Sequence, residues 1–157
     1  MTGGGNWEGS GLGVTGETYI VGADDRLMRS PSRDGIEHPE RYQQEAVAAG
    51  TAPNVAQQVV DGASTLLLQP VRTDAVASAA AGQIGTTLAA GYLGGETIAA
   101  YAPLDIKGLD WVIVAEIDSA EAFARVVQVL CLRIATRLES DQAVGAPDAF
   151  DAARLAD

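Results

Sequence analysis

Short apolar runs bounded by glycine, proline and acidic residues alternate along the first part of the chain with alanine-rich stretches of helical spacing. Residues 19–21 and 27–30 read as two short strands. Between them Gly22, Ala23, Asp24 and Asp25 form a turn-prone group that makes the pair a hairpin. The polar stretch from Pro31 to Pro39 reads as a loop. Pro39 then suits a first helical position, because its missing N–H is one the helix leaves unpaired anyway, so residues 40–49 form a helix with Gly50 as its stop. A second helix is expected over about residues 54–60, capped by Asn54 and ended by Gly62, and a third over residues 73–81 before Gly82. Leu66, Leu67 and Leu68 lie between these helices, and so short a run fits strand or helix alike.

Further along, residues 86–92 and 97–102 flank Gly94 and Gly95, a pair suited to a two-residue hairpin turn with positive φ. Pro103 is expected to end the second of these strands and Gly108 to mark the next turn. Residues 111–117 then read as a strand buried largely on both faces. Asp118 is placed to cap a helix, and Glu121 three positions on favours the same start. Phe123, Val127, Leu130, Ile134 and Leu138 recur at helical spacing and form one apolar stripe. The expected fold is therefore of the α/β class in its α+β form. It is a PAS-like five-stranded antiparallel sheet with a helical crossover between strands 2 and 3 and a closing C-terminal helix. Residues 1–14 form a flexible glycine-rich lead, residues 15–138 the folded module, and residues 139–157 a loosely ordered tail.

Composition narrows the function. Ten basic against 21 acidic residues give a net charge of −11, which repels phosphate backbones, so nucleic acid is excluded as a partner. The single cysteine, Cys131, rules out an internal disulfide and a cysteine-built metal site. Residues 126–134, the longest apolar run, are interrupted by Gln128 and Arg133 and fall short of the roughly 20 residues that span a bilayer. With no export signal at the N-terminus, the chain as written reads as soluble.

Each catalytic or cofactor motif in the chain has a plainer role that competes with it. Gly11, Gly13 and Gly16 match Gly-x-Gly-x-x-Gly, but they precede a strand where a dinucleotide loop must follow one and open a helix, so they read as an entry turn. Gly62, Ala63 and Ser64 lack the second glycine of a nucleophile elbow, and His38 sits in a proline-flanked loop with no second histidine or cysteine to complete a zinc site. Asp24, Asp25 and Asp34 lack the spacing of a calcium loop. Glu116 and Asp118 are accounted for as a strand end and a helix cap. The best polar constellation is Arg26, Arg29 and Arg33, whose guanidinium groups could grip a ligand carboxylate, with surface pairing to the abundant acids as the competing reading. Tyr101 faces one side of its strand, lining a pocket or packing in the core. Arg29, Arg33 and Tyr101 are thus the ligand-binding candidates, and no catalytic residue, metal ligand or cofactor is expected.

Two blocks resemble a known family. Residues 7–33 (WEGSGLGVTGETYIVGADDRLMRSPSR) look like the opening of a Cache sensor module, and LLQPVRTDAV at 67–76 with YAPLDIKGLDWVIVAEID at 101–118 and EAF at 121–123 resemble its second half. The resemblance covers about residues 6–134. It implies the membrane-proximal half of a double Cache domain, held outside the cytoplasmic membrane in bacterial cyclases, chemoreceptors and histidine kinases. It further implies a non-catalytic sensory role, with a small molecule such as an amino acid or carboxylate as ligand. The stripe of Phe123, Val127, Leu130 and Ile134 would then be the output helix, which relays the signal towards the membrane. The chain departs from the family in lacking a flanking membrane helix and in losing the resemblance after Ile134, so a fragment or degenerate copy is expected. A structural module that pairs with a second copy through the same helix is the alternative.

Overall fold

The computed structural model describes residues 13–124 and residue 127. The chain divides after Ala122 into two units, and the fold below is that of the first. It is α+β, with elements in the order β1 (Glu17–Gly22), α1 (Arg33–Glu37), α2 (Pro39–Ala48), α3 (Pro53–Gly62), α4 (Asp74–Ala80), β2 (Gly85–Ala90), β3 (Glu96–Ile106) and β4 (Leu109–Asp118). A further helical stretch covers residues 119–124 and 127, which includes Phe123 and Val127 of the apolar stripe; Leu130, Ile134 and Leu138 lie outside the described residues. No helix among the described residues is long and apolar enough to cross a membrane.

The sheet has four strands, not five, in the antiparallel order β1-β4-β3-β2. Residues 27–30, expected as a strand, make only two isolated bridges, Val21 to Met28 and Leu27 to Pro70. The ladder stops because a side chain takes over from it. The Arg29 N–H reaches the Ile20 carbonyl at 2.7 Å, but the Ile20 N–H donates to the Ser30 hydroxyl at 2.9 Å, and Pro31 follows at once. The segment still lies along the free edge of β1. The chain then crosses by way of α1 to α4 to the far edge, β2, before β3 and β4 fill the middle.

Several expected boundaries shift for identifiable reasons. Ser32 caps a short helix, α1, inside the stretch read as a loop, its hydroxyl accepting from the Gly35 N–H. Pro53 occupies the first turn of α3, so Asn54 lies inside the helix and Ala52 takes the cap position without a side-chain bond. Thr73, read as the first residue of the third helix, is instead the cap of α4, accepting from the Val76 N–H. Leu66, Leu67 and Leu68 form a turn. The β2–β3 connection is five residues, Gly91 to Gly95, closed by Gly91 N–H to Gly95 O and Gly94 N–H to Gly91 O, with Gly94 at φ +87. Pro103 does not end β3. Pairing with β2 stops at Tyr101, so Pro103 sits where one side of the strand has no neighbour and a missing donor costs nothing.

The core gathers Tyr19, Val21, Val112 and Val114 from the sheet with Tyr42, Ala46, Val59, Ala75, Val76 and Ala79 from α2, α3 and α4, and α4 lies directly against β2, β3 and β4. Two buried alanines, Ala75 and Ala79, beside Val76 on α4 let its backbone approach closely, which suits a core with few aromatic rings. β4 is not buried on both faces: Val112, Val114 and Glu116 are buried on the helix side, while Trp111, Ile113, Ala115 and Ile117 on the other side are half-buried. Strand parity therefore puts a carboxylate, Glu116, in line with the core valines.

Candidate functional site

Glu17 begins β1 and Glu116 lies within β4, and the two are direct register partners. Their side chains share the helix-facing side, with Cβ atoms of such pairs about 5 Å apart. Both are buried, at 6% and 8% exposure, so two carboxyl groups face each other away from water. Each has its own donors. Glu17 Oε2 accepts from the Ser32 hydroxyl at 3.1 Å and from the Arg33 N–H at 2.9 Å, and Glu116 Oε2 accepts from the Tyr19 hydroxyl at 3.0 Å. The Ser32 and Tyr92 hydroxyls meet at 2.6 Å, either able to donate, and a hydrogen bond from Tyr92 is among the influences that hold the Glu17 carboxyl down. The rings of Tyr19 and Tyr92 meet edge to face with centroids 5.4 Å apart.

A cavity of about 350 Å³ opens beside this pair. Glu17 and Glu116 wall it from the sheet, Asp34, Arg41 and Glu45 from α1 and α2, and Tyr92 from the β2–β3 connection. Gly91 lets that connection come close: a Cβ there would stand 3.0 Å from Thr97 Cγ2 and 3.3 Å from Glu116 Oε1. Burial, followed by the charge of Glu17, pushes Glu116 up to about 8, against the hydrogen bond from Tyr19 that lowers it. Burial also raises Glu17, with the surrounding donors holding it back. The one cation on the wall, Arg41, is ion-paired with Asp34. Such a chamber opposes a carboxylate and receives an ammonium group, which supplies the positive charge the paired acids lack. Among the described residues no cluster of histidine, cysteine, aspartate or glutamate is arranged to hold a metal ion.

The cavity wall reaches the end of β4: Thr15 and Asp118 both line it. Glu121 accepts from the Val14 N–H at 2.9 Å, the Thr15 N–H at 2.8 Å and the Thr15 hydroxyl at 2.7 Å. The Asp118 N–H, which a capping box would send to Glu121, donates instead to the Thr15 hydroxyl at 3.1 Å. One threonine thus ties the segment before β1 to the end of β4.

The residues singled out as ligand contacts are elsewhere. Arg29 is held by Asp25 at 2.6 Å and by the Leu27 carbonyl at 3.1 Å. The Arg33 guanidinium pairs with Glu37 at 2.9 Å and approaches the Gly13 and Gly16 carbonyls, and its backbone N–H donates to Glu17 in the site. Tyr101 is half-buried beside the core, across from Gly85. None of the three side chains lines the cavity. His38 is exposed at the junction of α1 and α2. Glu116 does not end its strand, and Asp118 does. Searches against known protein families, curated proteins and solved structures return no match for this chain.

Proposed function

We propose that the chain is a non-catalytic, PAS-like sensory module of the Cache type, belonging to a bacterial transmembrane signalling protein and placed on the outer side of the inner membrane. Its cavity faces the ligand, and the helix that follows β4 is the output. The observation that carries the reading is the strand arrangement. Counting the bridged residues 27–28 beside β1, the order across the sheet runs from that segment through β1, β4 and β3 to β2, with all four named helices in the one crossover. This order supports the reading, since a PAS-like sheet also places one helical crossover between its second and third strands. The clamp of Thr15, Asp118 and Glu121 supports the relay, since Thr15, which lines the cavity, also bonds Glu121 in the helical stretch that follows β4.

The acid-walled chamber makes the ligand a small amine or the ammonium end of an amino acid, not a free carboxylate. A thermal-shift screen of primary amines, amino acids, dicarboxylates and purines tests this. A ligand at a hundred times its Kd stabilises by about 2.7 kcal/mol, so a true amine ligand is expected to raise the melting temperature clearly. Dicarboxylates should leave it unchanged. Shifts from dicarboxylates alone would overturn the ligand class. No shift from any compound, together with concentration-dependent dimerisation, would replace the sensor reading by a structural module that pairs with a second copy.

A further inference from the structure

We propose that Glu17 and Glu116 hold a single proton between them and act as a pH-sensitive latch between the sheet and α1, closed while the proton is kept and loosened when it leaves to solvent. The latch needs no ligand in the cavity. The two carboxyl groups are cross-strand partners on the buried face, where two adjacent negative charges oppose each other with little water to screen them. Their surroundings are unequal. Glu17 accepts from Ser32 and from the Arg33 N–H, whereas Glu116 accepts from Tyr19 alone, so Glu17 is the better place for a charge and Glu116 for the proton.

Among the described residues, the side chains that line the cavity beside the pair bring one cation, Arg41, and it is already paired. From β1 and the β2–β3 connection come Tyr19 and Tyr92, phenols that burial keeps neutral. From α1 comes Asp34, from α2 Arg41 and Glu45, and from the end of β4 Asp118. Arg41 is engaged by Asp34, and the other three are acids. The latch acts on α1 because the residues that hold Glu17 are the Ser32 cap and the Arg33 N–H of its first turn. A second charge at Glu116 pushes Glu17 against that cap and strains the Tyr92–Ser32 contact. The sign follows from a carboxyl raised in the folded state. Below the ordinary value of 4.5 both states carry the proton; between 4.5 and about 8 only the folded chain keeps it, so stability falls through that window as pH rises and levels off above it.

The test uses the full chain carrying ¹³C-labelled glutamate, with Glu17→Gln, Glu116→Gln and the double variant beside it. One carboxyl resonance of the unaltered chain is expected to titrate far above the ordinary glutamate range, and that step should move down by at least about one pH unit in Glu17→Gln, where the opposing charge is gone. Glu116→Gln should match the unaltered chain near pH 5 and melt above it by roughly 5 °C or more at pH 8.5. Amide exchange at Arg33 and Gly35 should quicken with pH in the unaltered chain and not in Glu116→Gln. Both carboxyl groups titrating in the ordinary range, or an undiminished decline in melting temperature for Glu116→Gln, would overturn the latch. If a glutamine variant does not fold, the titration of the unaltered chain decides alone.

Discussion

Tyr19→Ala is expected to lower the stability of the fold by about 4–5 kcal/mol, comparable to the whole stability of a small domain. Tyr19 has no exposed surface and sits in β1 among Val112, Val114 and Tyr92. Truncation removes a buried ring, worth about 3–5 kcal/mol for an aromatic in a core, and with it the edge-to-face partner of Tyr92. The milder Tyr19→Phe keeps the ring and takes away only the donor to Glu116. Its cost should depend on pH. At pH 5 Glu116 is neutral and the lost bond is worth about 1 kcal/mol; at pH 8.5 a charged acceptor is left without its donor, and the loss should grow to about 2 kcal/mol. Urea titrations at the two pH values measure both variants. A Tyr19→Phe penalty that shrinks at higher pH would contradict the assigned donor.

How much of this was legible in the sequence depends on which residues are asked. The helices after Pro39 and Thr73 follow from local rules, a proline at the first turn and a glycine stop, and the structure places both within a residue or so of expectation. The β2–β3 hairpin was equally visible, because its two strands alternate and its glycines mark the turn. Its length was not visible, since Gly91 joins the loop for the sake of Thr97 and Glu116, which are distant in sequence. Pro103 misled because proline punctuates a strand only where both edges are occupied, and edge occupancy depends on where another strand stops. The fifth strand was over-read at residues 27–30 because no local signal says that Ser30 will take the Ile20 N–H.

The site itself was the least legible part. The arginines stood out as the chain's scarce cations, yet abundant acids close to them in sequence, Asp25 and Glu37, satisfy them locally. The acids that matter were hidden by their number, 21 acidic residues in all. One signal was available: Glu17, Tyr19 and Val21 share one parity, as do Val112, Val114 and Glu116, so each glutamate points where its strand's core residues point. That parity predicts burial of each acid. Their meeting required the β1–β4 pairing, which joins the two ends of the unit and is a property of topology alone.

Gln69→Leu should cost about 3 kcal/mol although leucine fills much the same volume, because what is lost is a junction of polar groups. Gln69 is fully buried between α2, the α2–α3 connection and the segment before α4. Its Oε1 accepts from the Tyr42 hydroxyl, and its Nε2 donates to Thr51 Oγ1 at 3.1 Å and to the Pro70 carbonyl at 2.7 Å. Burial pushes the Tyr42 phenol up to about 12, so it stays a neutral donor through the physiological range. Leucine strands the groups it replaces partners for, at about 1–3 kcal/mol for each that water cannot reach. Tyr42→Phe combined with Gln69→Leu removes one of those stranded groups, so the double variant should be more stable than Gln69→Leu alone, a non-additivity that a double-mutant cycle reads directly. A mere packing role for Gln69 predicts the opposite, with the two losses adding. Because the Leu27 to Pro70 bridge is the neighbour of this junction, loosening it should also raise amide exchange at Met28 and Val71, whose N–H groups pair with Gln69 and Arg26 across the same seam.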